Sequence, residues 1–243
     1  MKKILIFSLI IFFAQVDSCF AWGPMTHTYF AHEILRAASL LSASVYSLLT
    51  AYSTNFIYGS IVADNYLGKP EHKNPHDWET GFLLLGNAGK RTDAAFAYGF
   101  LSHLAADTVA HGQMDLGAKS KLGHAWIEME SDSLMAKSCW RTVARLDKNR
   151  LRSNDQLANL IIDPVDCRSK NFQRIYRMSI KMSVLNYRRW TNFYKEDFAG
   201  YHRMSVFRAI DVINKKEASQ YLKHDPNIKK GKRLTARLQN ILA

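Results

Sequence analysis

Residues 98–111 read Tyr98-Gly99-Phe100-Leu101-Ser102-His103-Leu104-Ala105-Ala106-Asp107-Thr108-Val109-Ala110-His111. His103, Asp107 and His111 stand at i, i+4 and i+8 within an otherwise largely apolar run. At 3.6 residues per turn each step drifts by only about 40°, so the three project from one helical stripe. Phe100, Leu101, Leu104 and Val109 surround that stripe, and the pattern predicts a helix with ionisable groups facing a core. A buried carboxylate is costly unless it is paired. A metal ion satisfies it, and so does a histidine–aspartate hydrogen bond without metal; the stripe by itself is compatible with both.

The same periodicity extends in both directions. It predicts helices over residues 27–38, 42–54, 92–111, 124–147, 154–162, 169–194, 201–220 and 232–242, with few runs of alternating apolar and polar residues. Breakers fall between them, at Gly68-Lys69-Pro70, Asn74-Pro75, Gly86 to Gly89, Gly117, Gly123, Pro164 and Pro226. The fold class is therefore all-α, with a single multi-helix domain. Residues 64–77 form the longest irregular stretch and carry Asp64, His72 and His76. Loops of this length in compact domains often serve function.

Composition narrows the class. Among 243 residues, 47% are hydrophobic and 12% aromatic, with 5 prolines and 12 glycines, which excludes a disordered tail and collagen-like material. The net charge of +12 favours anionic partners, whether phospholipid headgroups, nucleic acid or phosphorylated small molecules. Residues 1–21 combine Lys2 and Lys3, an apolar run from Ile4 to Ala14, a polar break and the small residue Ala21. That is the architecture of a secretory signal peptide, which predicts export to a periplasmic or extracellular space and a mature chain over residues 22–243. A rival reading takes Val16-Asp17-Ser18-Cys19 as a lipoprotein signal, which Asp17 fits poorly. Cleavage after Ala21 leaves Cys139 and Cys167, either one disulfide or two buried thiols. No Gly-rich phosphate loop or Gly-x-Ser-x-Gly elbow occurs, so triphosphatase and serine hydrolase chemistry have no support.

Of the nine histidines, seven lie between positions 27 and 124, among acidic residues. His124 and Glu128 form another i, i+4 pair after Gly123, able to hold one ion from a single helical face, although such pairs are common on solvated helices. Trp22-Gly23-Pro24-Met25-Thr26-His27 places a histidine five positions after the expected new terminus, where a free amine and its carbonyl can chelate a cation. His32 points about 140° away from His27 around a helix and is read as a core or surface residue. His202 and His224, outside every motif, are read as surface residues.

Taken together, Trp22 to His27, Ala63-Asp64, His76-Asp77-Trp78, Ser102-His103 through Asp107 and His111, and Gly123-His124 to Glu128 resemble the zinc-dependent phospholipase C family. The likeness extends more distantly to single-strand-specific zinc nucleases and to the amino-terminal domain of glycosylphosphatidylinositol-specific phospholipase D. The resemblance implies up to three zinc ions in a cleft between helices. On it, Asp64, His76, His103 and Asp107 hold one ion, with Asp107 bridging to a second that takes Trp22 and His27; His111, His124 and Glu128 hold the third. The Asp107 to His111 gap is shorter than in the secreted phospholipases and nucleases. His76 is preferred over His72 because Asp77-Trp78 follows it.

The implied activity is hydrolysis of a phosphodiester by a metal-activated water, with Asp64 orienting that water as a catalytic residue as well as binding metal. Phospholipid is the favoured substrate, with peripheral contact to a membrane surface; single-stranded nucleic acid is the alternative. A non-catalytic, zinc-stabilised lipid-binding protein is a third reading.

Overall fold

Two glycines set the frame of the molecule. Gly59 lies in a helix over Ser53–Val62 and Gly99 in a longer one over Arg91–Gln113. A Cβ on Gly59 would stand 2.0 Å from the Phe96 carbonyl oxygen, and a Cβ on Gly99 equally close, 2.0 Å, to that of Phe56. Only hydrogen fits at either position, so the two backbones meet directly. The computed structural model describes residues 22–66, 73–113, 131–132, 134–146, 151–162 and 195–226.

Within these residues the chain forms eight α-helices and no strands: α1 Pro24–Arg36, α2 Ala43–Ala51, α3 Ser53–Val62, α4 Trp78–Gly86, α5 Arg91–Gln113, α6 Lys137–Ala144, α7 Arg152–Ile161 and α8 Lys195–Lys215. They build one compact domain around α5. Along residues 95–110 of α5 every side chain is buried, and α3, α4 and α8 pack on different sides of it. Phe56, Leu49, Ile34, Leu101 and Ile213 form the centre of one apolar cluster; Phe96, Phe100, Leu84, Leu104 and Ile162 form a second. Burying each such side chain contributes about 1.5–3 kcal/mol.

Several expected elements stand where periodicity put them, among them the helix at the sequence stripe. Others differ. α1 begins at Pro24, three residues before the expected start, because proline suits the first helical turn, where its missing N–H has no partner to lose. The expected helix over 42–54 is two helices, broken at Tyr52, and the second runs on to Val62. α3 is buried from Asn55 to Val62, so it has no polar face to generate a period. α4 is not among the helices expected from periodicity. It is a short apolar helix opened by Asp77, whose carboxylate accepts from the Glu79 N–H. The helix expected over 124–147 is not continuous: residues 131–132 are helical, the chain turns at Leu134 and Met135, and Ala136 is extended before α6.

Polar contacts index the helices against one another. Asn154 of α7 accepts from Asn55 Nδ2 at 2.7 Å and donates to Asp93 Oδ1 at 2.9 Å, joining α7 to the beginnings of α3 and α5. On α8, Arg208 donates to Thr108 Oγ1 at 2.8 Å. Cys139 is a buried free thiol. Cys167 lies outside the described residues, as do residues 1–21 and the helices expected over 169–194 and 232–242. Among the described residues no helix is long and apolar enough to cross a membrane.

Candidate metal centre

The α3–α5 crossing determines where the chemistry collects. One residue past Gly59, the Ser60 carbonyl accepts from His103 Nδ1 at 3.1 Å, one turn beyond Gly99. With the hydrogen on Nδ1, His103 in its neutral form turns a bare Nε2 lone pair inward. Asp64 sits in the 3-10 turn Ala63–Asn65 that ends α3. Asp107 follows His103 by one turn of α5, His27 arrives from the first turns of α1, and His76 from the segment preceding α4.

These five side chains converge. His103 Nε2 lies 3.1 Å from Asp107 Oδ2 and 3.6 Å from Asp64 Oδ1. His76 Nε2 is 3.1 Å from Asp64 Oδ1, 3.3 Å from His103 Nε2 and 3.9 Å from Asp107 Oδ2. His27 Nε2 is 3.2 Å from Asp107 Oδ1, with its ring stacked on that of His103, centroids 4.0 Å apart. Two overlapping sets, His27–Asp64–His103 and His76–His103–Asp107, each bring their ligand atoms within 4.8 Å of one another. All five residues are buried.

Hydrogen bonding accounts for only part of this proximity, the contacts of His76 Nε2 with Asp64 Oδ1 and with His103 Nε2. His27 Nε2, Asp64 Oδ2 and both carboxylate oxygens of Asp107 are buried and make no aligned hydrogen bond. Buried lone pairs that approach to about 3 Å without a hydrogen bond between them can be satisfied together by one shared cation. Ligand atoms bound to a tetrahedral zinc at about 2.0–2.2 Å stand about 3.4 Å apart, in the range of these contacts. No lysine or arginine pairs with Asp64 or Asp107 among the described residues, so two buried carboxylates face three imidazoles and lack a fixed cation. The donor set, its spacing and its charge all fit zinc.

The carboxylates and imidazoles shift one another's proton affinities. Burial disfavours the imidazolium of His103, but the charges of Asp107 and Asp64 and the contact with Asp107 outweigh it and push its pKa up to about 9. Burial likewise disfavours the charged form of Asp107, yet the His103 charge holds its carboxyl well below the usual range. For His27, burial and then repulsion from His103 dominate, and its pKa is lowered.

Of the remaining sequence candidates, Trp22 has its indole beside the cluster: Nε1 donates to the Ala106 carbonyl at 3.1 Å, one residue before Asp107. His111 lies one turn further along α5, half-buried, and belongs to neither ligand set. His124, Glu128 and His72 lie outside the described residues. His32 is away from the cluster, its Nε2 3.3 Å from Thr142 Oγ1. His202 is not a surface residue. Its ring lies within a box of Trp22, Tyr29, Phe30 and Phe198, its Nε2 is buried without a hydrogen bond, and burial pulls its pKa down to about 4.

Asp132 carried no signal in the sequence reading. It is buried, accepts from the backbone N–H groups of Met25 and Thr26, and has its pKa pushed by burial up to about 7. The clue available was indirect, a helix start at Gly23-Pro24 with no side chain of its own to cap it.

The sequence profile of zinc-dependent phospholipase C matches residues 26–207, most of the chain and all the buried ligand candidates from His27 to Asp107. The chain belongs to the zinc-dependent phospholipase C family. Membership supports a phospholipase C-like hydrolase at the level of the family, and the five-residue convergence is a set that could hold its zinc. Within this zinc-dependent phospholipase C fold, α3 and α5 supply Asp64, His103 and Asp107 from one crossing, and α1 and the α4 approach supply His27 and His76. No curated protein and no solved structure matches the chain at a significant level.

Proposed function

We propose that the protein is an exported phosphodiesterase that hydrolyses phospholipids in the manner of a phospholipase C. The observation that carries this reading is the convergence of His27, Asp64, His76, His103 and Asp107 with buried lone pairs directed into one space. Asp64, His76, His103 and Asp107 would hold one zinc; Asp107, His27 and, once the leader is cut, the amine and carbonyl of Trp22 would hold a second; His111 with His124 and Glu128, both outside the described residues, would hold a third. Bound zinc supplies a water of lowered pKa and positive charge opposite the phosphoryl oxygens. Asp107, with an oxygen toward His27 and the other toward His103, keeps the two halves of the centre together. Asp64 contacts His76 through Oδ1, and its buried Oδ2 is available to orient the attacking water and take its proton. Burial of the set excludes bulk water and strengthens each of these interactions. The net charge of +12 suits approach to an anionic membrane surface.

The test is incubation of the purified protein with zwitterionic vesicles, anionic vesicles and single-stranded DNA, each with and without chelator. Release of phosphorylated headgroup, abolished by chelator, is expected. Chelator-sensitive cleavage of DNA alone would make it a nuclease. Vesicle binding without turnover, with unfolding on chelation, would make it a zinc-stabilised lipid-binding protein.

A further inference from the structure

α1 carries His27 but lacks the means to end itself. Its N-cap is Gly23, which has no side chain, and no acidic residue occupies the first turn. Pro24 has no N–H to satisfy, but the N–H groups of Met25 and Thr26 do, and both residues are fully buried. Asp132, more than 100 positions later in the chain, meets both needs. Its Oδ2 accepts from Met25 N at 3.1 Å, and its Oδ1 from Thr26 N at 2.9 Å and Thr26 Oγ1 at 2.8 Å. Ser131 Oγ closes the group at 2.9 Å from Thr26 Oγ1. No lysine, arginine or histidine pairs with Asp132 among the described residues. Its counter-charge is the helix terminus itself.

Gly23 is matched to that carboxylate. A Cβ at Gly23 would lie 2.4 Å from both the carboxyl carbon and an oxygen of Asp132, so the backbone must run bare across it. Trp22 immediately precedes this contact, and His27 begins one turn after it, with His27 N donating to Gly23 O at 3.0 Å. A displacement at Asp132 is therefore transmitted to Trp22 and His27. Asp64, His76, His103 and Asp107 are held by α3, α5 and the approach to α4, none of which bonds to Asp132.

We infer that Asp132 is a positioning residue that seats the amino-terminal ligands, Trp22 and His27, on the metal centre, and that Gly23 is the complementary half of the same clamp. The inference rests on the zinc assignment of His27 proposed above. It separates Asp132 from a general stabiliser, because loss of general stability weakens all zinc sites together, whereas loss of the clamp weakens the His27 side alone.

Zinc content and affinity by chelator competition, with thermal melting alongside, should be measured for Asp132→Ala, Gly23→Ala, His27→Ala and the double variant His27→Ala/Asp132→Ala. Asp132→Ala is expected to weaken one zinc equivalent about 10- to 100-fold and leave the tightest one unchanged. Gly23→Ala, with the carboxylate intact, should produce the same selective loss. In the double variant the effects should not add, because both act on one ion. If Asp132→Ala fails to fold, Asp132→Asn keeps the volume and one acceptor and should lie between. Wild-type zinc affinity in Asp132→Ala, or equal weakening of every equivalent, overturns the clamp while leaving the zinc assignment standing. Unchanged zinc in His27→Ala overturns that assignment and the inference with it.

Discussion

The two sides of the candidate metal centre are fastened in different ways. Asp64, His103 and Asp107 belong to α3 and α5, whose backbones touch through Gly59 and Gly99 and whose contact is largely apolar. His27 belongs to α1, whose start is fastened by three hydrogen bonds to one carboxylate from a distant part of the chain. Apolar packing at backbone contact tolerates no added atom and gives way only when the core does. A polar clamp can be released at one point while the core survives. One side is therefore a property of the fold, and the other is a property of an attachment to it.

The largest effect should come from breaking the first kind of fastening. Gly99→Ala puts a methyl carbon 2.0 Å from the Phe56 oxygen, which is backbone and cannot swing aside. A loss of about 3 kcal/mol or more in denaturant unfolding is expected, with every zinc equivalent weakened. Full zinc binding and an unchanged midpoint would mean that the helices can separate at no cost, and the contrast drawn above would disappear.

Asp107→Ala attacks the residue common to both sides. It removes the carboxylate that contacts His27 and His103, so zinc and phosphodiesterase activity should fall together by atomic emission and headgroup release, while helicity by circular dichroism stays near wild type. An unchanged zinc count would deprive Asp107 of its bridging place.

A smaller, pH-dependent effect belongs to His202, which packs behind the amino-terminal segment. Its folded pKa of about 4 lies below the ordinary 6.5, so between these values the unfolded chain binds the proton more readily. Stability supplied by the neutral ring is fully present above pH 6.5 and is lost as the pH falls toward 4. The loss amounts to at most about 3 kcal/mol, less because water reaches part of the ring. His202→Phe should flatten the melting temperature across that window; a profile as steep as wild type would assign the acid sensitivity elsewhere. The smallest effect is expected from His32→Ala, since its one hydrogen-bond contact among the described residues is a 3.3 Å approach to Thr142 outside the cluster. Zinc content should not change and stability should shift by about 0.5 kcal/mol or less.

Legibility in the sequence follows the same division. His103 and Asp107 share a helical stripe, and their spacing is enough to predict a shared face. Asp64 and His76 fell in the one long irregular stretch, where loop chemistry draws attention to itself. α3 escaped because burial from Asn55 to Val62 erases the amphipathic period, so the expected helix stops at Thr54 where α3 runs on to Val62. Asp132 escaped for a different reason: a cap supplied from more than 100 residues away leaves no local pattern at either end. His202 was misplaced because an imidazole in an aromatic box and one in water look alike in a one-dimensional string. Local periodicity reports which face a residue occupies; tertiary capping and enclosure it does not report.

The amides that join Asp93, Asn154 and Asn55 have a consequence for how the centre comes to exist. Apolar surfaces such as those of Leu157 and Ala158 can be buried with α7 slid along its neighbours, at little difference in energy. A chain of directional bonds through a single buried amide can be completed in one alignment only. Because that alignment ties the first turns of α3 and α5 together, the turn that ends α3 and the middle of α5 arrive with Asp64 and His103 already level. If an ion binds there as proposed, it meets a half-site whose geometry was decided during folding, and the entropy of gathering those ligands is lost before it binds.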